Sequence, residues 1–495
     1  MAQRYDQFIG GTFTPSQSGE YFTLYRPSNG QPFAEVANSS QADVEYAVET
    51  AQQAFRSTPW RYDTGLRVRA LRHLAALMRR HLPTLEEMES TVTGRPIREM
   101  KAQLSRLPEW YEYFASVAET LEGTVPPFGT GYVNYTIREP LGTVALLTPW
   151  NHPLLILTKK LAPALAAGNS VVIKPSELAP ITVNMLAELI QQTEIPAGIV
   201  NVVHGFGAVT GKALSENPKI AKVDLTGGTP TGRAVAAAAG RNLAKVAAEL
   251  GGKASVLVFD DADLHEAVSG ALFAGYIATG QTCVQGARVL VHESIYDAFV
   301  ELFVKRVSQL KIGDPSDLST DIGPLISQRQ RDRVLQYVKI GIDEGATLAY
   351  GGTVLEELPG WYMKPAVFTD VSSHMTIAQE EIFGPVVCIM RFSDDQQAVD
   401  MANDTEFGLA MAIWTNDIRR AHRIAGQLEA GVIWINDHHR IDPSSPWGGY
   451  KHSGIGRENG IDCYKDYTQV KNIIINVSSE KFDWFDGSLQ EKRYS

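Results

Sequence analysis

Val144-Ala145-Leu146-Leu147, a helical stretch over 153–167, Val171-Val172-Ile173 and a second helical stretch over 178–193 decide the architecture of this chain. The short apolar runs, bounded by turn residues, read as strands buried on both faces. The longer stretches between them read as helices, the first with Pro153 in its opening turn. Two more units follow: Ile199-Val200-Asn201-Val202-Val203 with a helix from about residue 208, then Lys222-Val223-Asp224-Leu225 with a helix over 230–239. Repeated strand–helix units of this length predict a parallel, doubly wound α/β sheet whose ligands bind beyond the carboxyl ends of the strands.

A second strand–helix series runs from Ser255-Val256-Leu257-Val258-Phe259 to Val432-Ile433-Trp434-Ile435 and predicts a second α/β domain. Upstream, short extended pieces turn at Gly10-Gly11 and Pro27-Ser28-Asn29-Gly30. Helical patterning then begins at Ser40-Gln41-Ala42-Asp43, continues as a basic amphipathic helix over 66–82 with a solvated outer face, and predicts a third helix over 99–119. Gly131-Tyr132-Val133-Asn134-Tyr135-Thr136-Ile137-Arg138 alternates with period two and follows Pro126-Pro127-Phe128-Gly129, which suggests a projecting hairpin. Its unpaired edges predict an oligomer contact. The segment from Tyr467 to Asn476 reads as another strand, able to extend a sheet in a partner subunit.

A chain of 495 residues is too long for one core. With 44% apolar and 20% charged residues it has the composition of a soluble globular protein. Its opening residues lack the apolar core of a signal peptide, and no uncharged apolar run approaches the roughly 18 residues of a membrane span. Three widely separated cysteines form neither a disulfide framework nor a metal-ligand pattern, so a reducing, cytoplasmic setting without a metal is expected. A net charge of −11 argues against nucleic-acid partners.

Cys283 lies in Ala278-Thr279-Gly280-Gln281-Thr282-Cys283-Val284-Gln285-Gly286. A lone thiol is usually an inert small hydrophobe. As a nucleophile it needs an oxyanion donor and a base. Asn151 carries an amide that can serve with the Cys283 backbone N–H. Glu249, in Ala248-Glu249-Leu250-Gly251-Gly252-Lys253, offers a general base for a water attacking a thioester. Four loops follow the strands of the first series: Thr148-Pro149-Trp150-Asn151-His152-Pro153, Lys174-Pro175-Ser176-Glu177, His204-Gly205-Phe206-Gly207 and Thr226-Gly227-Gly228-Thr229-Pro230. The glycine loops, Gly207 and Gly227 among them, permit close backbone approach beside a helix N-terminus, though Gly205 to Gly211 is not the dinucleotide fingerprint. Lys174 and Glu177 at a strand end could hold ribose hydroxyls, and the carboxylate would repel a 2′-phosphate, favouring NAD over NADP.

Pro149-Trp150-Asn151, Lys174-Pro175-Ser176-Glu177, Glu249-Leu250-Gly251-Gly252-Lys253, Gly280-Gln281-Thr282-Cys283, Glu381-Ile382-Phe383-Gly384-Pro385 and Pro446-Trp447-Gly448-Gly449-Tyr450-Lys451, taken in order, resemble the aldehyde dehydrogenase superfamily. The resemblance covers nearly the whole chain. It implies an NAD-binding domain (1–121 and 142–250), a catalytic domain (251–465) and a small β oligomerisation unit (122–141 and 466–495), assembled as a homodimer or homotetramer. It implies that Cys283 attacks an aldehyde, that Asn151 and the Cys283 backbone hold the oxyanion, and that Glu249 activates the hydrolytic water. Lys174 and Glu177 would hold the adenosine ribose, Glu381 and Phe383 the nicotinamide ribose and ring, with Trp150, Gly207 and Gly227 bordering NAD.

Several positions depart from the commoner pattern. Gly228 stands where serine is frequent, His152 where an aromatic residue follows Asn151, Lys159 where tryptophan often lines an apolar tunnel, and Trp447 where phenylalanine is frequent. Asp437-His438-His439-Arg440-Ile441-Asp442-Pro443 is a polar loop for a tunnel mouth. Adjacent histidines without a further ligand at suitable spacing do not make a metal site. Lys159 or Arg440 would suit an aldehyde bearing a carboxylate, and Asp442 beside Trp447 a cationic one. Lys159, Ile441 and Trp447 are the candidate substrate contacts. Two rival readings remain: a CoA-acylating enzyme, against which Glu249 argues, and a non-enzymatic protein, against which the intact set Asn151, Glu249 and Cys283 argues. Cys388 and Cys463 read as inert thiols.

Overall fold

A computed structural model describes residues 3–479 and Phe485. The domain bounds expected at 1–2, 480–484 and 486–495 lie outside the described residues.

The first series forms an eight-stranded sheet. Its parallel centre runs Lys245–Glu249, Lys222–Thr226, Thr143–Leu147, Ser170–Lys174, Val200–Val202. Every residue of Thr143–Leu147 and Ser170–Lys174 is buried, as expected of parallel strands covered by helices on both faces. The later units add on either side of Thr143–Leu147, so the strand order reverses there, and Trp150 and Asn151 follow that strand directly. Antiparallel strands close both sides: Gln7–Ile9 with Thr12–Thr14 at one, and Gly454–Ile455 at the other.

The second series forms a seven-stranded sheet in the order Thr347–Tyr350, Ala366–Thr369, Val386–Phe392, Arg288–His292, Ser255–Val258, Ala410–Trp414, Val432–Ile435. All pairings are parallel except that of Thr347–Tyr350. The mixed α/β, doubly wound class expected from the alternation is the class observed.

Local chemistry sets the helices. Ser40 accepts from Asp43 N–H while the Asp43 carboxylate accepts from Ser40 N–H, a reciprocal cap that starts Gln41–Ser57. The helix Thr64–Thr93 runs longer than the pattern suggested and ends at Gly94, in left-handed conformation. The single helix expected over 99–119 is two, Ile97–Leu104 and Pro108–Thr120. Pro108 has no N–H to continue the ladder and restarts the chain from its first turn. The helix expected over 178–193 spans only Ile181–Ile190, and the one expected from 208 opens as a wide turn, Gly207–Gly211, before Lys212–Glu216. The strand Lys245–Glu249 was not anticipated.

The alternating strand is Tyr132–Pro140, and its ladder partner is the terminal strand Thr468–Asn476 of the same chain, antiparallel over nine pairs. The expected hairpin is therefore a ribbon closed across more than 300 residues of sequence, and the terminal strand is already paired along one edge. Val133, Ile137, Val470, Ile474 and Ile475 stay exposed on this ribbon.

Candidate active site

Cys283 sits in a turn between the short helix Ile277–Gly280 and the strand Arg288–His292. Ala278, Thr279 and Gly280 have φ of 53°, 57° and 70°. For the two that carry a Cβ, this conformation costs roughly 1–2 kcal/mol each. Surrounding bonds hold it. Ala278 donates its N–H to the Glu99 carboxylate (3.1 Å), Thr279 its hydroxyl to the Gly323 carbonyl (3.2 Å), and Gln285 Nε2 to the carbonyls of Gly275 (2.9 Å) and Gly384 (2.7 Å). Gly280 admits nothing larger, since a Cβ there would lie 2.3 Å from the Gly384 oxygen. Gly252 is equally confined: its Cβ would lie 2.2 Å from the Cys283 carbonyl oxygen. The Glu249 motif and the Cys283 turn are thus in direct backbone contact.

Asn151 is buried just before the helix Pro153–Ala166, and its Nδ2 donates to the carbonyl of Gln281 at 2.9 Å. One amide hydrogen anchors it to the Cys283 turn, leaving a second for another acceptor. Glu249 is the last residue of Lys245–Glu249, paired in register with Thr226 and Gly454. Its carboxylate is buried, and neither oxygen has a hydrogen-bond partner among the described residues.

Beside it lies an ionic network. Glu458 pairs with Lys159 (2.5 Å) and Lys160 (2.6 Å), Lys160 also with Asp224, and Asp224 accepts from the Tyr467 hydroxyl (2.5 Å). Burial, then the Glu458 charge, raises the Glu249 carboxyl well above the usual carboxylate range. Glu458 is drawn down by its two lysines, which outweigh its own burial. Burial pushes the partly exposed Cys283 thiol up to about 12, and the Lys159 ammonium pulls against that shift. At rest near neutral pH the pair is therefore a thiol and a carboxyl that can each release a proton.

The cofactor candidates gather along the carboxyl ends of the first sheet. Lys174 is buried, and its ammonium donates to Glu177 (3.3 Å) and to the Pro175 carbonyl (2.9 Å). Gly207 opens the wide turn 207–211 with free space around its Cα, and Gly227 donates its N–H to the Glu249 carbonyl at 3.0 Å. Trp150 and Phe383 meet edge to face, centroids 5.2 Å apart. Glu381 accepts from Gly252 N–H at 2.9 Å, and burial holds its carboxyl up at about 7.

Of the substrate candidates, Lys159 is buried in an ion pair, with its ammonium 4.4 Å from the Trp447 ring centroid. Trp447 and Glu458 exchange backbone hydrogen bonds at 2.8 and 2.7 Å, which brings that ring and that carboxylate to the same lysine. Ile441 and Cys283 pack against the cluster containing Trp434 and Trp447. His438 and His439 do not converge on a common centre: His438 Nε2 bonds the Val284 carbonyl (2.8 Å), and His439 meets His152 edge to face (5.9 Å).

The sequence reading missed Lys160, Glu458, Arg95 and Glu99. Two adjacent lysines in a helix whose every other residue save Thr158 is apolar were a signal for Lys160. Glu458, between Arg457 and Asn459, carried none. Arg95 and Glu99 form a buried pair at 3.0 Å. Arg95 reaches the Asn151 carbonyl (3.4 Å) and His152 Nδ1 (2.7 Å) while Glu99 holds Ala278, so the pair ties the Asn151 loop to the Cys283 turn.

The profile of the aldehyde dehydrogenase family matches residues 13–473. A Burkholderia cenocepacia protein assigned as an aldehyde dehydrogenase is 39% identical over 98% of this chain and 99% of its own, with a TM-score of 0.95. Betaine aldehyde dehydrogenase from Staphylococcus aureus, solved with NAD+, is 36% identical over 97% of this chain and 96% of its own, with a TM-score of 0.95. An aldehyde dehydrogenase from Bacillus cereus in complex with NAD+ is 38% identical over 96% and 97%, with a TM-score of 0.94.

Proposed function

The chain belongs to the aldehyde dehydrogenase family, and on that premise we propose that it oxidises an aldehyde to the carboxylic acid with NAD+, through a thioester hydrolysed on Cys283. The observation that carries this reading is the contact of three distant segments: Asn151 bonded to the Cys283 turn, Gly252 against the Cys283 carbonyl, and Glu249, without a hydrogen-bond partner among the described residues, two residues before Gly251.

The donor set fits NAD+. A lysine and a carboxylate suit ribose hydroxyls, open glycine backbone at a helix start suits a pyrophosphate, and the buried Glu381 carboxylate beside Phe383 suits a second ribose and ring. Glu177 disfavours a 2′-phosphate, which supports NAD over NADP. When bound, NAD+ supplies the hydride acceptor.

Cys283 Sγ adds to the carbonyl carbon as its proton passes to solvent water. The second hydrogen of Asn151 Nδ2 and the Cys283 backbone N–H receive the oxyanion. After oxidation the acyl group remains on Cys283, and Glu249 takes the proton of the water that displaces it. A base with a raised pKa suits this step, because it is ionised in useful amount yet basic enough to take the proton.

The exposed apolar residues of the ribbon support burial against a second copy, as a homodimer or homotetramer. Three free cysteines fit a cytoplasmic setting. Among the described residues no helix is long and apolar enough to cross a membrane.

The test is NADH formation over aliphatic, aromatic, carboxylated and cationic aldehydes, with NAD+ or NADP+, with and without CoA, beside Cys283→Ala. Turnover without CoA that vanishes in the variant supports the reading. A strict CoA requirement points to acyl transfer instead, and turnover surviving Cys283→Ala removes the nucleophile.

A further inference from the structure

We propose that Glu89 is a positioning residue for the oxyanion site: with Arg95 it clamps the Asn151 loop from both sides and so sets the rate of attack by Cys283. This rests on the aldehyde-oxidation reading above and adds to it a residue outside the reacting set.

Asn151 and His152 lead directly into the helix Pro153–Ala166, so the point where that helix starts decides where the Asn151 amide lies. The helix does not cap itself. His152 stands at the N-cap without a side-chain cap bond, and Pro153 has no N–H. The Leu154 N–H is met by Glu89 Oε1 at 3.1 Å, from the helix Thr64–Thr93, 65 residues upstream. A carboxylate there also lies at the favourable end of the helix dipole. Glu89 is fully buried. Burial raises its carboxyl to about 7, and Thr182, the Leu154 N–H and Arg95 pull it back. Charged or neutral, the group keeps an oxygen that accepts from Leu154.

Arg95 holds the other side of the loop. Its Nη1 reaches the Asn151 carbonyl (3.4 Å), His152 Nδ1 (2.7 Å) and Gln103 Oε1 (2.9 Å), while its Nη2 pairs with Glu99 at 3.0 Å. The two holders belong to one rigid corner. Glu89 lies in the last turns of Thr64–Thr93, and Arg95 follows the left-handed end of that helix at Gly94, where φ is 76°. Ser90 donates its hydroxyl to the Arg95 carbonyl (2.7 Å), and Thr93 donates its own to the Glu89 carbonyl (2.6 Å). A Cβ on Gly94 would lie 2.8 Å from Pro324 Cγ, so the corner packs closely against the second domain.

What the clamp serves follows from the remaining bond of Asn151. Its Nδ2 gives one hydrogen to the Gln281 carbonyl at 2.9 Å, and the second hydrogen points correctly only while the backbone behind it is fixed. An oxyanion donor acts through preorganisation, and a displacement of about 1 Å costs on the order of a hundredfold in rate. Lys174, Glu177 and Glu381 make none of these contacts, so loss of the clamp spares cofactor affinity.

The experiment measures the pre-steady-state NADH burst with a turned-over aldehyde, and NAD+ binding by calorimetry. It compares wild type, Glu89→Met, Glu89→Gln, Asn151→Ala and the double variant Glu89→Met with Asn151→Ala. Glu89→Met removes the acceptor, and Glu89→Gln keeps a carbonyl oxygen for Leu154. The expected burst rate falls about tenfold to a hundredfold in Glu89→Met and recovers to within about threefold of wild type in Glu89→Gln, with NAD+ affinity unchanged within about twofold. In the Asn151→Ala background Glu89→Met should add less than about twofold, because a residue that acts through Asn151 has nothing left to position. Losses that multiply in the double variant would overturn the proposal, as would equal losses in Glu89→Met and Glu89→Gln or an unchanged burst. Where Glu89→Met does not fold, Glu89→Asp, which withdraws the carboxylate by one methylene, carries the same expectations. Hydrogen exchange over residues 148–157 reads the clamp without any substrate. Protection lost there in Glu89→Met and kept in Glu89→Gln supports it, and unchanged protection overturns it. If wild type oxidises no aldehyde, the oxidation reading fails and hydrogen exchange still decides the clamp.

Discussion

Glu249 and Glu458 are buried near the same two lysines yet titrate in opposite directions. Glu458 bonds both Lys159 and Lys160 and is drawn down. Glu249 bonds neither, feels the Glu458 charge, and is raised. A single ionic network so holds one carboxylate charged and keeps the other ready to lose a proton.

This relationship sets a pH profile. Below its raised pKa Glu249 is protonated and cannot act as a base, so hydrolysis of the acyl enzyme rises with pH as the proton leaves. Glu249→Gln should lower steady-state turnover by about 10²–10⁴-fold and abolish that limb. Rapid-mixing measurement of NADH release, burst against steady state, checks it. An unchanged steady-state rate in the variant would exclude Glu249 as the base.

Lys159→Met removes one partner of a buried pair and the cation that pulls the Cys283 thiol down. Loss of a buried partner costs about 3–5 kcal/mol, less here because Lys160 still holds Glu458. Alkylation of Cys283 by iodoacetamide should slow, with its pH midpoint moved upward. A midpoint that stays put would show that the ammonium does not act on the thiol.

Gly280→Ala places a methyl group 2.3 Å from the Gly384 oxygen at a φ of 70°. Backbone strain of this kind costs about 1–3 kcal/mol and displaces the turn. Activity should drop at least tenfold while circular dichroism keeps the α/β signature. Gly240→Ala, in open space on the helix Thr229–Arg241, is the control expected to change neither.

Glu99→Gln breaks the clamp between Arg95 and the Ala278 N–H. The variant should lose about 3–5 kcal/mol of stability, because the Arg95 charge is left buried without its partner. Denaturant unfolding measures the loss, and faster proteolysis within 277–282 would locate it.

Ile137→Lys with Ile475→Lys puts two charges on the face of the ribbon that also carries exposed Val133. Light scattering after gel filtration should register a smaller assembly with retained secondary structure. An unchanged mass would place the subunit contact elsewhere.

The alternation from Val144 to Leu225 was enough to read the sheet, because strands buried on both faces must be apolar throughout. Lys245–Glu249 escaped that logic. Its two alanines and flanking charges have no strand signature, and it is a strand because Lys222–Thr226 offers a free edge beside it. The break at Pro108 was legible in principle, since proline cannot continue a ladder, yet the apolar periodicity on either side masked it. The ribbon of Tyr132–Pro140 with Thr468–Asn476 could not be told from a local hairpin, because strand pairing has no range in sequence.

By itself the sequence determined the doubly wound α/β class and the family through six ordered motifs, and it nominated Cys283, Asn151 and Glu249 as the proposed reactive set. These are local matters of residue type and spacing. Only the tertiary structure decided how those groups are charged and held. Lys159 looked like a free cation facing the substrate until the fold brought Glu458 to it across nearly 300 residues. The physical reason is that a proton's position depends on burial and on neighbours within a few ångströms, and those neighbours come from segments that meet only when the chain is folded.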